Sequence, residues 1–291
     1  MNLIRQYAKL LRVNQWVKNG FLFLPIFFDK QLLNLDVLKL NFFGALSFAF
    51  ASSVIYIIND YFDREKDRLH PKKKFRPLAS GAINPLPAFI AALICLGISG
   101  ALVYSIQSLD FLIVLSIYLV LNVLYSSGLK HVSLLDIFIL AFGYVLRVYA
   151  GGFATNIAPS EWLILMSLLL ALFLALAKRR DDVILFQASG KKARKAIDGY
   201  NESFFNTALS MLGGILVVTY SIYVLSGQTQ ARFQSEYLYL TVIFILAGVL
   251  RYLQITLVEH DSGSPVKLLY TDKFLQITIF LWLLCLYLII Y

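Results

Sequence analysis

Residues 59–81 read NDYFDREKDRLHPKKKFRPLASG and directly follow a long apolar segment. No Pro or Gly interrupts the first half of this stretch, so we expect the helix to continue beyond the apolar segment to about Arg68. Asn59, Asp63 and Asp67 are then four residues apart and share one face over two turns. Because Mg²⁺ prefers carboxylates combined with phosphate oxygens, this Asn-Asp-Asp row predicts a site for magnesium and a diphosphate.

Basic residues follow the Asn-Asp-Asp row, among them Lys72, Lys74 and Arg76, and Asp60 lies beside it. A metal on one side and cations on the other suit a substrate that carries several phosphates, so these four residues are candidates for binding it. A solvated helix end with a cytoplasmic anchor of positive charge also explains the bases. Both interpretations of the bases stay open at this point.

The composition is that of a polytopic membrane protein. Hydrophobic residues make up 59% of the chain and charged residues 15%, against about 25% charged in soluble domains. The mean hydropathy is +0.73. These values exclude an ordinary soluble enzyme, a disordered chain and a secreted disulfide scaffold. The net charge of +9 fits the basic cytoplasmic loops of a membrane protein better than it fits nucleic-acid binding.

We predict an all-α fold with nine transmembrane helices, because each span needs about 20 mostly apolar residues. Residues 1–19 are basic and amphipathic and are predicted to lie on the membrane surface. With a cytoplasmic N-terminus, most of the 26 Lys and Arg residues fall in cytoplasmic segments, chiefly 59–85 and 178–206. This predicts a single domain, 1–291, in the cytoplasmic (inner) membrane. The predicted spans are 20–36, 41–58, 86–106, 109–126, 134–151, 162–178, 207–226, 237–256 and 273–291.

Residues 59–81 resemble the first aspartate-rich motif of the UbiA superfamily of intramembrane prenyltransferases, NDxxDxxxD, together with its usual continuation HPxxxxRPxxSG. Nine helices with a cytoplasmic N-terminus are also that family's architecture. The resemblance implies a helical bundle whose cavity opens to the cytoplasmic side, with 59–85 and 178–206 as active-site loops. It further implies that the Asn-Asp-Asp row is catalytic and holds Mg²⁺, with Mn²⁺ as the alternative.

The second acidic motif separates the branches of this superfamily. Members that transfer a prenyl chain to an aromatic acceptor carry DxxxD after the sixth helix, where this chain has Lys178, Arg179 and Arg180 before two aspartates. Local features instead resemble the decaprenyl-phosphate phosphoribosyltransferase branch. They are LRVNQWVKN at 11–19, LRVYAGG at 146–152, LALAKRRDDV at 174–183 and the Gly-Tyr pair at 199–200.

That branch transfers 5-phosphoribose from phosphoribosyl diphosphate to a polyprenyl phosphate and releases diphosphate. The resemblance implies this reaction, with an oxocarbenium-like transition state. The three cations at 178–180 suit an anionic sugar phosphate or lipid phosphate. Further candidates for binding substrate are Lys18, Asn19, Arg147 and Tyr200. Lys18 also fits a snorkelling interfacial lysine, and Arg147, which this topology places toward the outer side, also fits a structural role.

Two other functions stay open. An aromatic-acceptor prenyltransferase would need a prenyl diphosphate held between two acidic motifs, for which Asp198 and Glu202 are the nearest substitute. A secondary transporter is also compatible with nine helices and two charged cytoplasmic loops. However, transporter sites lie near the midplane on broken helices, whereas the acidic residues here cluster at the inner boundary.

Overall fold

The computed structural model describes residues 3–69, 73–189, 195–259 and 265–291, and every regular element in these ranges is a helix. This confirms the all-α prediction. The α-helices are α1 (Leu3–Leu10), α2 (Leu24–Phe28), α3 (Leu35–Phe62), α4 (Arg64–Arg68), α5 (Pro85–Ile106), α6 (Leu109–Ser127), α7 (Leu135–Thr155), α8 (Glu161–Ser189), α9 (Glu202–Leu225), α10 (Gly227–Phe233), α11 (Val242–Leu257), α12 (Pro265–Thr271) and α13 (Lys273–Ile290).

Within the described ranges, eight helical segments are long and apolar enough to cross a membrane. They coincide with the last eight predicted spans, within a few residues at each end. They are Leu35–Phe62, Pro85–Ile106, Leu109–Ser127, Leu135–Thr155, Glu161–Ile184, Glu202–Leu225, Tyr237–Leu257 and Lys273–Ile290.

The first predicted span, 20–36, differs from the prediction. It is a 3₁₀ helix, Val13–Phe23, that continues into the short helix α2, where Pro25 occupies the first turn. This segment follows α3 in antiparallel order through three contacts: Arg12 with Asp60, Trp16 with Ser53, and Leu22 with Asn41.

Between its first and last contact with this segment, α3 rises about 28 Å, at about 1.5 Å per residue. That distance is close to the hydrocarbon thickness of a bilayer, about 30 Å. We call residues 13–28 the crossing segment, and a membrane crossing there stays a prediction. The amphipathic helix α1 ends at Leu10, so Lys18 and Asn19 lie in the crossing segment and not at the end of a surface helix. The interfacial position of α1 stays a prediction.

The chain forms two compact units, one of Met1–Ser127 with Leu146–Pro159 and the other of Gly128–Val145 with Ser160–Tyr291. The core of the first unit contains Phe48, Phe111 and Tyr118. The core of the second contains Phe173, Phe205, Leu209 and Ile255. The single domain, 1–291, stays a prediction.

The helix that carries the Asn-Asp-Asp row extends as predicted. Helix α3 ends at Phe62, and α4 continues to Arg68 after a break at Asp63. The backbone N–H of Asp63 donates to the carbonyl of Asn59 at 2.9 Å, and that of Asp67 donates to Asp63 at 2.8 Å. Since both bonds join residues four apart, the row keeps its helical spacing through the break.

The close packing of the first unit can be tested at Gly151. A Cβ at this position would lie 2.0 Å from the carbonyl oxygen of Leu22, whereas a Cβ at Gly97 meets no atom within 4 Å. We expect Gly151→Ala to destabilise the protein by about 2 kcal/mol through overpacking. Gly97→Ala should stabilise it by about 0.5–1 kcal/mol, because glycine weakens a helix. Thermal unfolding in detergent measures both, and equal melting temperatures for the two variants would contradict the close approach.

Candidate active site

The acidic residues at the C-terminal end of α3 differ in burial. Asp60 and Asp67 are 2% and 4% exposed, whereas Asn59 and Asp63 are half-buried. Isolated carboxylates at such depth would be strongly destabilised, so each needs a cationic or hydrogen-bonded partner. The partners of Asp60 and Asp67 are therefore the first feature of the site.

Two arginines neutralise these two carboxylates. Arg76 donates from a single nitrogen, Nη1, to Asp60 Oδ1 at 3.0 Å and to Asp67 Oδ2 at 2.6 Å. Arg12 donates from Nη2 to the same Oδ1 of Asp60. We call these residues, Arg12, Asp60, Asp67 and Arg76, the two-arginine cluster. The predicted candidates Asp60, Asp67 and Arg76 thus lie together, and the cluster adds Arg12, which the sequence analysis did not select.

The Asn-Asp-Asp row is chemically suited to a divalent cation. Oδ1 of Asp67 and the side-chain amide of Asn59 form no hydrogen bond with any described residue. In the described part of the chain, no three His, Cys, Asp or Glu side chains converge on one point. Mg²⁺ does not require such a cage, because it is usually bound through one or two carboxylates plus waters and substrate phosphates. Two aspartates and an asparagine on one helical face match that requirement.

A second group of candidates lies deeper in the first unit. Arg147 is 5% exposed and donates from Nε to Asn19 Oδ1 at 2.9 Å and from Nη2 to the hydroxyl of Tyr118 at 2.9 Å. The topology had placed Arg147 toward the outer side and Asn19 at the inner surface. Their hydrogen bond places them at one depth, because Asn19 belongs to the crossing segment that begins at Val13.

Lys18 lies next to this pair and is half-buried. The positive charges of Arg147 and Arg12 both act on Lys18. Its ammonium group forms no ion pair with any residue in the described ranges. A lysine partly removed from water in a positive field is unfavourable in the protein alone and becomes favourable when an anion binds to it.

Arg180, on α8, forms hydrogen bonds within the second unit. Arg180 is 1% exposed and donates to Asn206, to the carbonyl of Thr256 and to Glu202 at 2.6–2.7 Å. These bonds join α8 to α9 and α11. The partners make Arg180 a structural connection between helices.

Arg179 is engaged in the same unit. Its guanidinium lies 2.7 Å from Asp136 and 2.6 Å from Asp182. The predicted role of Arg179 and Arg180 in binding substrate therefore stays a prediction, and their buried partners give both residues a structural role.

Tyr200 joins the same network. Its hydroxyl donates to Asp136 Oδ1 at 2.8 Å and accepts a hydrogen bond from the backbone of Leu134. Burial, together with the hydrogen bond to Asp136, raises the pKa of Tyr200 above its usual range. The phenol therefore stays protonated at physiological pH and fixes the segment that precedes α9. Tyr200 is a positioning residue in this arrangement, and its binding to substrate stays a prediction.

The remaining candidates are Lys74, Lys178 and Lys72. Lys74 is exposed beside the ring of Phe75, with its Nζ 5.2 Å from the ring centre. Lys178 is half-buried on α8. Lys72 lies outside the described residues.

Arg12, Tyr118 and Asp136 are among the residues of these networks that the sequence analysis did not select as candidates. Arg12 lies within the segment 11–19 that carried a resemblance, so the signal was present. Tyr118 is an aromatic residue in an apolar helix and gave no signal. Asp136 has the appearance of a helix cap in the sequence, but it is fully buried and binds Arg179.

Comparisons with known proteins agree on one family. The model of the UbiA prenyltransferase family matches residues 31–284. A decaprenyl-phosphate phosphoribosyltransferase from Mycolicibacterium smegmatis is 30% identical over 97% of this chain and 91% of its own. The protein of the same name from Corynebacterium glutamicum is 27% identical over 100% of this chain and 88% of its own.

A solved structure shows the same fold. It is that of a UbiA homologue from Archaeoglobus fulgidus bound to DMAPP and Mg²⁺. The TM-score is 0.70 at 22% identity, over 98% of this chain and 99% of that one.

The contacts of Arg180 predict that it stabilises the second unit. We expect Arg180→Met to leave the side chain of Asn206 and the carbonyl of Thr256 without a donor, at a cost of about 2–3 kcal/mol. The melting temperature in detergent should fall by about 5 °C or more. Lys273→Met, at an exposed cation of the same unit, is the matched control and should change it little. A melting temperature equal to that of the wild type would show that Arg180 has no structural role.

Proposed function

The chain belongs to the UbiA prenyltransferase family, and on that basis we propose that it transfers 5-phosphoribose from phosphoribosyl diphosphate to a polyprenyl phosphate and releases diphosphate. Two relatives named decaprenyl-phosphate phosphoribosyltransferase align along nearly the entire chain. We place the reaction in the cytoplasmic membrane, in a cavity open to the cytoplasm, with the N-terminus on the cytoplasmic side.

The observation that carries the proposal is the position of Arg76 between Asp60 and Asp67, directly beside the free oxygen of Asp67. One candidate metal ligand, Asp67, thus lies within one hydrogen bond of a guanidinium. A diphosphate needs both, because its charge is too large for either alone. The arrangement supports a donor that loses diphosphate.

The Asn-Asp-Asp row would hold Mg²⁺, or Mn²⁺ as the alternative. The metal would neutralise the charge that develops on the leaving diphosphate. Arg76 and the neighbouring Lys74 are proposed to bind the same diphosphate, with Lys72 as a further candidate. The acceptor phosphate is anionic at neutral pH, so the site needs no strong general base. Its contribution is charge neutralisation and alignment of the two substrates.

A second phosphate is assigned to the deeper group. Lys18 carries a charge that no described residue pairs with, and Arg147 and Asn19 are fixed beside it. We assign this group to the remaining phosphate of the substrates, either the 5-phosphate of the donor or the phosphate of the lipid. Attack from the face opposite the leaving group would invert the ribosyl centre.

Residues 178–206 distinguish this proposal from an aromatic-acceptor prenyltransferase. That alternative needs a second set of carboxylates to hold a prenyl diphosphate. Asp182 is bound to Arg179, and Glu202 is bound to Arg180, while Asp198 is exposed. These ion pairs support a single metal-binding motif. We propose that Arg179, Arg180 and Tyr200 position this segment, and Lys178 stays a candidate for binding a substrate phosphate.

The decisive experiment is a transfer assay with purified protein in detergent. With Mg²⁺, polyprenyl phosphate and phosphoribosyl diphosphate labelled in the ribose, we expect label in the lipid phase. Asp63→Ala should reduce the rate by about 100-fold, in line with the loss of charge stabilisation at a leaving group. Chelation of divalent cations should abolish the transfer.

The matched control for this assay is Asp36→Ala, because Asp36 is an exposed acid at the opposite end of the same helix. It should leave the rate unchanged. If the wild type gives no labelled lipid but consumes a prenyl diphosphate with an aromatic acceptor, the proposal is wrong and the alternative is correct.

A further inference from the structure

We infer that Arg12 is a second guanidinium ligand of the donor's diphosphate, paired with Arg76 by Asp60. The inference rests on the proposed function and adds to it Arg12, which the sequence analysis did not select as a candidate. Asp60 is then a positioning residue that orients two arginines, and the metal belongs to the neighbouring Asn-Asp-Asp row.

The backbone places Arg12 at the start of the crossing segment. Arg12 lies just after α1 and adopts a left-handed conformation, with φ at 51°, before the 3₁₀ helix that begins at Val13. Its guanidinium lies over the ring of Tyr56, with 4.6 Å between Cζ and the ring centre. Arginine stacks well on aromatic rings, so Tyr56 and Asp60 together fix the plane of the group.

Asp60 brings the two arginines side by side. Both donate to the same atom, Asp60 Oδ1, Arg12 from Nη2 and Arg76 from Nη1. Asp60 itself is 2% exposed and lies beneath them. One carboxylate thus holds two positive groups at the C-terminal end of α3, next to the predicted metal ligands.

Each arginine keeps donors for a ligand. Nε and Nη1 of Arg12, and Nε and Nη2 of Arg76, donate no hydrogen bond to any described residue. The two side chains are 24% and 26% exposed. A guanidinium has five N–H donors in a planar fork that matches phosphate oxygens. The partly exposed edges of these two groups are therefore suited to a diphosphate.

The charge balance of the two-arginine cluster explains why Arg12 and Arg76 should bind a diphosphate. Two arginines and two aspartates make the two-arginine cluster neutral in the protein alone. A cation that engages Asp67 would compete with Arg76 for this carboxylate. A diphosphate oxygen can replace the carboxylate as the partner of Arg76, so binding of the cation and of the diphosphate should reinforce each other.

The test measures binding, and no transfer is needed. Isothermal titration of the full-length protein in detergent with inorganic diphosphate and Mg²⁺ gives the dissociation constant. We expect Arg12→Gln to weaken this binding by tenfold or more, and Arg12→Lys to weaken it less, since the charge remains but the fork is lost. Arg5→Gln, at an exposed arginine of α1, should have no effect. Unchanged affinity in a folded Arg12→Gln protein would overturn the inference.

A double variant separates binding from folding. Arg12→Gln alone removes one partner of a buried carboxylate, which can destabilise the protein by itself. Arg12→Gln combined with Asp60→Asn removes both charges, so the melting temperature should recover while the diphosphate affinity stays low. Recovery of wild-type affinity in the double variant would show that Arg12 serves folding alone, and the inference would be wrong.

Two further ligands identify which phosphate is bound. Ribose 5-phosphate and a short-chain prenyl phosphate present the other phosphates of the two substrates. If Arg12→Gln weakens either of these and leaves inorganic diphosphate unaffected, the assignment to the diphosphate is overturned. If diphosphate binding falls as expected but the wild type makes no phosphoribosylated lipid, the proposed function fails while the role of Arg12 stands.

Discussion

Asp60 imposes the constraint on which the part of the first unit around the C-terminal end of α3 depends. Its carboxylate is buried, and a buried carboxylate must either be protonated or be matched by cations. Arg12 and Arg76 meet that requirement from two separate parts of the chain, and Arg76 extends it to Asp67. The start of the crossing segment, the end of α3 and the stretch after α4 are thereby joined at one atom, Asp60 Oδ1.

The same requirement, that buried charges have partners of opposite charge, applies in the second unit. Arg179 and Arg180 are buried on α8, and each has its own acidic partner: Asp136 for Arg179 and Glu202 for Arg180. A row of cations in a sequence suggests an anion-binding surface, but at this depth most of their hydrogen-bonding capacity serves the protein. The positions that would carry a second acidic motif are thus part of the helix packing. This is a physical reason to expect one metal-binding motif.

Much of the architecture could be predicted from the sequence because membrane spans have a strong signal. Length and apolarity located the spans from α3 onward, and four-residue spacing located the Asn-Asp-Asp row. The predicted span 20–36 differs from the structure because a 3₁₀ helix containing Lys18 and Asn19 occupies Val13–Phe23, and a lysine lowers the apolarity by which a span is recognised. The partners of Asp60, Arg147 and Arg180 could not be predicted, since they lie on elements distant in sequence, at separations from 16 to 128 residues.

Lys18 shows how the two-arginine cluster is connected to the group formed by Lys18, Asn19 and Arg147. The crossing segment begins beside Asp60 and passes Ser53 before it reaches Lys18 and Asn19, so the basic side chains follow one line along α3. At the Asp60 end of that line, carboxylates balance the arginines. Farther along it, Lys18 has no described carboxylate partner and lies in the field of Arg147 and Arg12. The net positive charge therefore increases along this line away from Asp60. This distribution favours a ligand whose anionic groups are spread along its length. The two substrates of the proposed reaction, a phosphorylated sugar diphosphate and a lipid phosphate, together have that distribution, whereas a substrate with one diphosphate head and an apolar tail does not.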